Sequence, residues 1–328
     1  MQAESPIEHA RRSLFSRSEL RERGVSESEL RKAGDGGAWS RIEPGVYIAR
    51  DEWAAARPAD RHRFAILAAV RRARDAGGVV SHLSAAVLHG LPLYRFRGGP
   101  VHAMVPRSAH PPSGRALRRH TGALDPQDVV VVDGIRCTSL GRTVFDIACT
   151  EPREMALSCA DGALRRVAVH GRRFDSDAQT LWRDVMRERV VSARGRRGVR
   201  EAAWVIEFAD GRAELPGESV SRLQLHRLGF RDIDLQVAVE GPRGSAYFVD
   251  IALRDVRTFW EFDGEVKYRD PSLRRGRSVE DVVLDEKRRE DWIRGVTQWR
   301  LCRGGFADIA SPEALAARLA AFGVRPPR

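Results

Sequence analysis

Apolar positions along this chain fall into short runs, repeatedly broken by Gly, Pro and charged clusters, and the period of those runs changes from segment to segment. Near the start, Ser16 with Glu19, and Ser26 with Glu29, have the spacing of capping boxes. They predict a helix Arg17–Arg23 stopped by Gly24 and a second helix Glu27–Ala33 stopped by Gly34. Trp39–Ile42 and Gly45–Ile48 then read as a hairpin around Glu43-Pro44. Two short capped helices followed by a hairpin fit a winged helix-turn-helix over residues 1–50. In that arrangement Arg31, Lys32 and Arg41 face DNA, since a second helix can enter the major groove. The competing reading is a helical cap with a solvated charged face.

Residues 51–170 alternate between the two periods. Helices are predicted over Arg61–Ala76, Thr143–Ala148 and Glu154–Val167, and strands at Val101–Val105 and Val129–Val132. A strand end at Val79-Val80 leads through Ser81-His82-Leu83-Ser84 into a short helix. His82, His89, His102, His110 and His120 punctuate this mixed α/β segment, but their spacings match no metal motif, so packing or loop roles are expected. Residues 171–211 are rich in arginine and read as a helical connector. From residue 212 the order predicted is helix (Ser219–Leu228), three strands (Leu235–Val239, Ala246–Leu253, Thr258–Asp263), helix (Asp281–Ile293), strand (Gln298–Cys302), helix (Pro312–Phe322). The fold class expected is α/β in the α+β sense: a winged helix, a mixed middle domain, and at 212–328 a small mixed sheet flanked by helices.

Composition changes the picture in one respect. Lys+Arg number 56 against 45 Asp+Glu, giving a net charge of +11, and a chain this basic is drawn to polyanions such as nucleic acid. Arginine-rich codon usage is the alternative source of that charge. No apolar stretch approaches the roughly 20 residues a spanning helix needs, and residues 1–12 lack the apolar run of a secretory signal. No membrane association and a cytoplasmic location are therefore expected. Cys137, Cys149, Cys159 and Cys302 form no CxxC pair, which argues against a zinc or disulfide framework.

Only three residues are lysines: Lys32, Lys267 and Lys287. Two of them flank the densest run of acids, Trp260-Glu261-Phe262-Asp263-Gly264-Glu265-Val266-Lys267-Tyr268, with Phe248-Val249-Asp250 upstream and Asp285-Glu286-Lys287 downstream. Asp250 and Glu261 fall on neighbouring predicted strands, and Asp263 points to the same face as Glu261 if the strand continues. Glu218 on the preceding helix offers a further carboxylate, and Lys267 can reach back towards a phosphate. Carboxylates so placed can hold Mg²⁺ or Mn²⁺ for phosphodiester cleavage. Strand-end acids paired with arginines are the alternative.

The residues Glu218-Ser219, Phe248-Val249-Asp250, Trp260-Glu261-Phe262-Asp263-Gly264, Lys267-Tyr268, Lys287-Arg288-Arg289 and Trp299-Arg300-Leu301 together resemble the Vsr-like uncharacterised endonuclease domain of the PD-(D/E)xK superfamily, over roughly residues 212–310. Upstream, the capped helices with Gly45-Val46-Tyr47, Ser81-His82-Leu83-Ser84-Ala85-Ala86 and Leu88-His89-Gly90-Leu91 resemble AbiEi-type antitoxins of type IV toxin–antitoxin systems, over about residues 10–165. The first resemblance implies Asp250, Glu261 and Asp263 as metal-site acids, Lys267 as the basic member, Glu218 as the helix carboxylate, and Arg288 and Arg289 as phosphate contacts. It also exposes a departure, because the superfamily's (D/E)xK lysine would stand at position 263, where this chain has aspartate. The second implies a winged-helix, promoter-binding protein, with DNA, a toxin protein or a second copy as partners. The expectation is thus a DNA-binding protein with a Mg²⁺-dependent endonuclease domain. The alternative is an antitoxin-like transcriptional regulator whose nuclease fold no longer cleaves.

Overall fold

A computed structural model of the chain describes residues 5–33, 36–73, 78–106, 114, 116–264 and 279–327. It is a mixed α/β structure with sheets of both strand orientations, as the changing periodicity predicts. Among the described residues no helix is long and apolar enough to cross a membrane. The chain divides into two compact units, residues 1–151 with 189–202 and residues 152–188 with 203–328. These limits differ from those read in the sequence. The winged-helix and middle segments share one unit, and the stretch 171–211 is divided between the two rather than forming a connector of its own.

The N-terminal unit opens with a helix that the sequence reading passed over, α1 (Pro6–Ser13). Its start carries a capping box between Ser5 and Glu8, and Ile7, Ala10 and Ser13 are buried beneath a charged outer face. The expected boxes at Ser16 and Ser26 are present and start α2 (Arg17–Glu22) and α3 (Glu27–Arg31). Each box satisfies backbone N–H groups that a helix start leaves without intrahelical partners. The hairpin β2 (Trp39–Glu43) and β3 (Val46–Ala49) forms as predicted, with a short β1 (Phe15–Ser16) pairing β3 on the other side. Leu20, Leu30 and Tyr47 make the small core that joins helices to wing.

Helices α4 (Arg50–Ala55) and α5 (Pro58–Ala73) follow, the latter beginning three residues before the expected Arg61. A five-stranded sheet then forms in the order β6-β5-β4-β8-β7, from β4 (Val79–Val80), β5 (Val101–Val105), β6 (Leu117–Thr121), β7 (Val129–Val132) and β8 (Ile135–Thr138). Strands β6 and β8 lie where no strand was expected. Helix α6 (His82–Leu88) packs on β5, and α7 (Leu140–Thr150) packs on α6. On α7, Arg142 is buried between Asp146, at 2.9 Å, and Asp128, at 3.2 Å, while Arg189 also reaches Asp128 at 2.7 Å.

In the C-terminal unit α8 (Arg153–Ala168) precedes a short hairpin, β9 (Val169–His170) and β10 (Arg173–Phe174). Helix α9 (Ser176–Ser192) then carries the chain into the N-terminal unit and α10 (Val199–Phe208) returns it, before α11 (Pro216–Arg227). The remaining order matches the expected one: β11 (Ile233–Glu240), β12 (Ala246–Leu253), β13 (Thr258–Phe262), α12 (Val279–Thr297), β14 (Arg300–Gly304) and α13 (Pro312–Ala321). The sheet runs β11-β12-β13-β14, antiparallel for the first three strands and parallel between β13 and β14. A parallel pair requires a long crossover, and α12 lies in that connection.

Two contacts fix α11 against this sheet, and a third ties it to α8. Trp260 donates its indole N–H to Ser221 Oγ at 2.9 Å. Gly217 lies so close to the Phe262 ring that an added Cβ would stand 2.2 Å from it. Arg222, buried, pairs with the buried Asp161 of α8 at 3.1 Å, and Asp161 also accepts the Asp210 N–H at 2.8 Å. The helix is thereby held with Glu218 facing the strands that carry Asp250 and Glu261.

Candidate active site

Both ladders that hold β12 are interrupted at Asp250. On one side the β11 register runs through Leu235↔Ile251 and Val237↔Val249 but omits the Gln236–Asp250 pair, and Gln236 adopts a left-handed φ of 51°. On the other side the β13 register ends at Ile251↔Trp260. Where the next backbone pair would form, the Phe262 N–H instead donates to Asp250 Oδ2 at 2.9 Å. An irregular backbone of this kind costs energy and re-aims side chains, which is why it concentrates at functional sites. Continuing the β12–β13 register by one step places Glu261 opposite Asp250.

The acids meet a cavity of about 480 Å³ lined by Asp250, Glu261, Asp263 and Glu286 together with Arg165, Arg172, Arg212, Arg289 and Arg303. Asp263 lies one residue past the end of β13, where its N–H donates to Gly304 O at 2.9 Å, and it shares this cavity with Glu261 as expected. Glu261 is buried and bound by two guanidinium groups, Arg289 at 2.6 Å and Arg303 at 3.0 Å. Arg303 reaches that position because β14 runs parallel to β13 and pairs Glu261 with Arg303. At the cavity wall Arg172 lies 5.0 Å from the centre of the Phe248 ring.

Glu218 stands behind the strands and is almost fully buried. Its Oε2 accepts from the Glu214 N–H at 2.9 Å and from Gln236 Nε2 at 3.1 Å. Burial, and then the negative charge of Asp250, push its carboxyl up to about 8. It is therefore largely protonated at neutral pH, the state expected of a buried carboxyl beside a like charge.

Asp250, Glu261 and Asp263, expected as metal-site acids, line one cavity, and Glu218, expected as the helix carboxylate, is buried behind the strands. Among the described residues these three acids form no cluster with all ligand atoms within 4.8 Å of one another, and Glu261 is paired with Arg289 and Arg303. Arg289, expected as a phosphate contact, is occupied by Glu261 and also donates to Phe248 O. Arg288 is exposed on α12 and pairs with Asp285 at 3.6 Å. Lys267 lies outside the described residues. In the other unit Arg31, Lys32 and Arg41 are all exposed, Arg31 and Lys32 at the end of α3 and Arg41 on β2. The reading singled out neither Arg303 nor Gln236, and it took the arginine-rich stretch from Arg165 as a phosphate-binding connector without placing Arg165 or Arg172 beside the acids; the fold brings them there.

No known family model matches the chain. It is similar to two uncharacterised proteins of Mycobacterium tuberculosis, MT2308 of strain CDC 1551 / Oshkosh and Rv2248 of strain ATCC 25618 / H37Rv, each 30% identical over 171 residues covering 48% of this chain. The match spans 59% of the length of those relatives. Among solved structures, the RV2827C protein of Mycobacterium tuberculosis superposes with a TM-score of 0.37 at 14% identity, covering 71% of this chain and 86% of that one.

Proposed function

We propose that the C-terminal unit carries a Mg²⁺-dependent DNA phosphodiester hydrolase site, joined in one chain to a winged-helix DNA-binding segment. The observation that carries this reading is the double break in the sheet at Asp250. It places two carboxylates from neighbouring strands at one register level, with a third, protonated carboxyl behind them and arginines around the same cavity.

The donors fit a hard cation, since carboxylate oxygens are what Mg²⁺ selects. Asp250 and Glu261 would hold it, with Asp263 beside them and Glu218 behind. When bound, Mg²⁺ or Mn²⁺ supplies Lewis-acid polarisation of the phosphodiester and a more acidic water. The protein's own groups do the rest. Glu218 would be the carboxyl able to release a proton to solvent were a cation held beside Asp250, since burial and the Asp250 charge are what keep it protonated. Arg289 and Arg303, released from Glu261, are long enough to turn to phosphate oxygens, where guanidinium groups bind bidentately. Arg172 guards the rim, and Arg31, Lys32 and Arg41 supply phosphate contacts at the other end of the chain.

The test is incubation of supercoiled and nicked DNA with the protein and Mg²⁺ or Mn²⁺, beside Asp250→Ala and Glu261→Ala. Metal-dependent cutting that disappears in both variants supports the hydrolase. One observation favours a second reading, a non-catalytic DNA-binding regulator of the antitoxin-like kind. Glu261 is neutralised by two arginines and aspartate stands at position 263, so the site as built also suits binding without cleavage. Wild type that binds but never cuts DNA would establish that alternative.

A further inference from the structure

Three histidines far apart in the sequence meet in the N-terminal unit: His82 at the start of α6, His102 on β5 and His120 on β6. We infer that they form a binding site for a divalent transition metal of the zinc class. The inference is independent of the hydrolase reading, since it uses another unit and another donor type.

The sheet brings them together. The Ser81 N–H donates to His102 O at 2.9 Å, extending the β4–β5 ladder by one step, so His82 enters α6 beside His102. Strands β5 and β6 are parallel, with His102 opposite Arg118 and Met104 opposite His120, which puts both histidines on one face. One ligand nitrogen from each of the three lies within 4.8 Å of the other two. Among the described residues this is the one set of three or more such donors gathered so closely.

The geometry suits coordination. His120 Nε2 and His102 Nδ1 are 3.2 Å apart, and two nitrogens on a tetrahedral zinc with bonds of about 2.0–2.1 Å stand roughly 3.3–3.4 Å from each other. The His82 and His120 rings stack with centroids 3.7 Å apart, which brings the third imidazole to the same spot. His82 Nδ1 is 2.9 Å from Ser81 Oγ, which fixes the ring and leaves Nε2 as the donor, the pattern of a ligating histidine held by a hydrogen bond behind it. His82 also adopts a left-handed φ of 51°, a conformation non-glycine residues take at a cost and which collects at sites where geometry matters.

Protonation suits it as well. Burial, followed by the neighbouring histidines and arginines, lowers His82 to about 2 and His102 to about 4, and His120 is lowered for the same first reason. Burial thus favours the neutral imidazole at all three, the form that binds metal. The nearby positive charges weigh against a dication only weakly. Arg142 is compensated by Asp128 and Asp146, and Arg118 is exposed to solvent. Imidazole without carboxylate selects zinc-class ions over Mg²⁺ or Ca²⁺, and three protein ligands leave a fourth position for water or another donor. His120, only half-buried, gives the ion a way in.

The test uses the full chain with any affinity tag removed, stripped with a chelator and titrated with Co²⁺ and Zn²⁺ in excess Mg²⁺ to saturate oxygen-donor sites. Expected are one tight equivalent per chain, visible d–d absorption from bound Co²⁺ without thiolate charge transfer, and X-ray absorption of the zinc form with three imidazole scatterers. His120→Gln should weaken binding by at least the roughly 10–100-fold that loss of a mere supporting partner costs. Should that variant fail to fold, X-ray absorption of the wild type decides alone. Absence of stoichiometric uptake by wild type, sulfur in the zinc shell, or undiminished uptake by a folded His120→Gln would each overturn the assignment.

Discussion

Replacing Glu218 by glutamine tests the electrostatics of the acidic cavity directly. The carboxyl holds its proton up to about pH 8 in the folded unit, against an ordinary value of 4.5, with burial as the main cause and Asp250 as the next. Unfolding therefore releases a proton between those two values, and the folded state loses stability as pH rises through the window. Below pH 4.5 both states are protonated and the dependence vanishes. A difference of 8 − 4.5 = 3.5 pH units corresponds to about 5 kcal/mol at 1.36 kcal/mol per unit. Glutamine keeps an oxygen for the Glu214 N–H and never ionises, so the penalty disappears. Urea unfolding of wild type and Glu218→Gln at pH 4.5, 6.5 and 8.5 should give similar stabilities at the lowest pH. At pH 8.5 the variant should gain several kcal/mol, about 2–5. Adding Mg²⁺ at pH 8.5 should stabilise wild type more than the variant, since only wild type has a carboxylate to offer there. Parallel pH profiles for the two proteins, within about 0.5 kcal/mol, would refute the assignment of a buried, proton-holding Glu218.

Further outcomes follow from other contacts. Gly217→Ala forces a Cβ to 2.2 Å from the Phe262 ring; overpacking of this kind should cost about 1–3 kcal/mol in thermal unfolding and disturb Asp250, which accepts the Phe262 N–H. Asp128→Ala leaves the buried Arg142 and its neighbour Arg189 short of a shared carboxylate, and chemical denaturation should register a loss of about 3–5 kcal/mol. If the winged segment binds DNA, the double variant Arg31→Ala with Arg41→Ala should lower affinity across unrelated sequences and reduce the slope of log K against log salt by about 0.9 per lost phosphate contact. Fluorescence anisotropy over a salt series measures both.

Local signals were legible from the sequence alone. Ser16 with Glu19 and Ser26 with Glu29 announced helix starts, because a capping box is written within four consecutive residues. The same signal stood at Ser5 and Glu8, but the mixed charges around it hid the buried stripe of Ile7 and Ala10. In the C-terminal unit the order of helix and strands could be read because each run kept one period long enough, Ala246–Leu253 to the residue. Strands β6, Leu-Arg-Arg-His-Thr, and β8, Ile-Arg-Cys-Thr, could not, since each is short and carries arginine, and only a neighbouring strand defines its covered face.

By itself the sequence determined the α+β class, the order of elements from residue 212 onward, the chain's basic charge and the placing of Asp250 and Glu261 on adjacent strands. Tertiary structure alone decided what those acids meet. Arg303 reaches Glu261 only because β14 lies parallel to β13, Gln236 reaches Glu218 only because β11 breaks beside Asp250, and His82, His102 and His120 converge only through the order β6-β5-β4. The physical reason is common to all three. Helix caps and periodicity act over a few residues of chain, whereas strand register is set by packing among segments distant in sequence, and a shift of one residue would send each of these side chains to the opposite face.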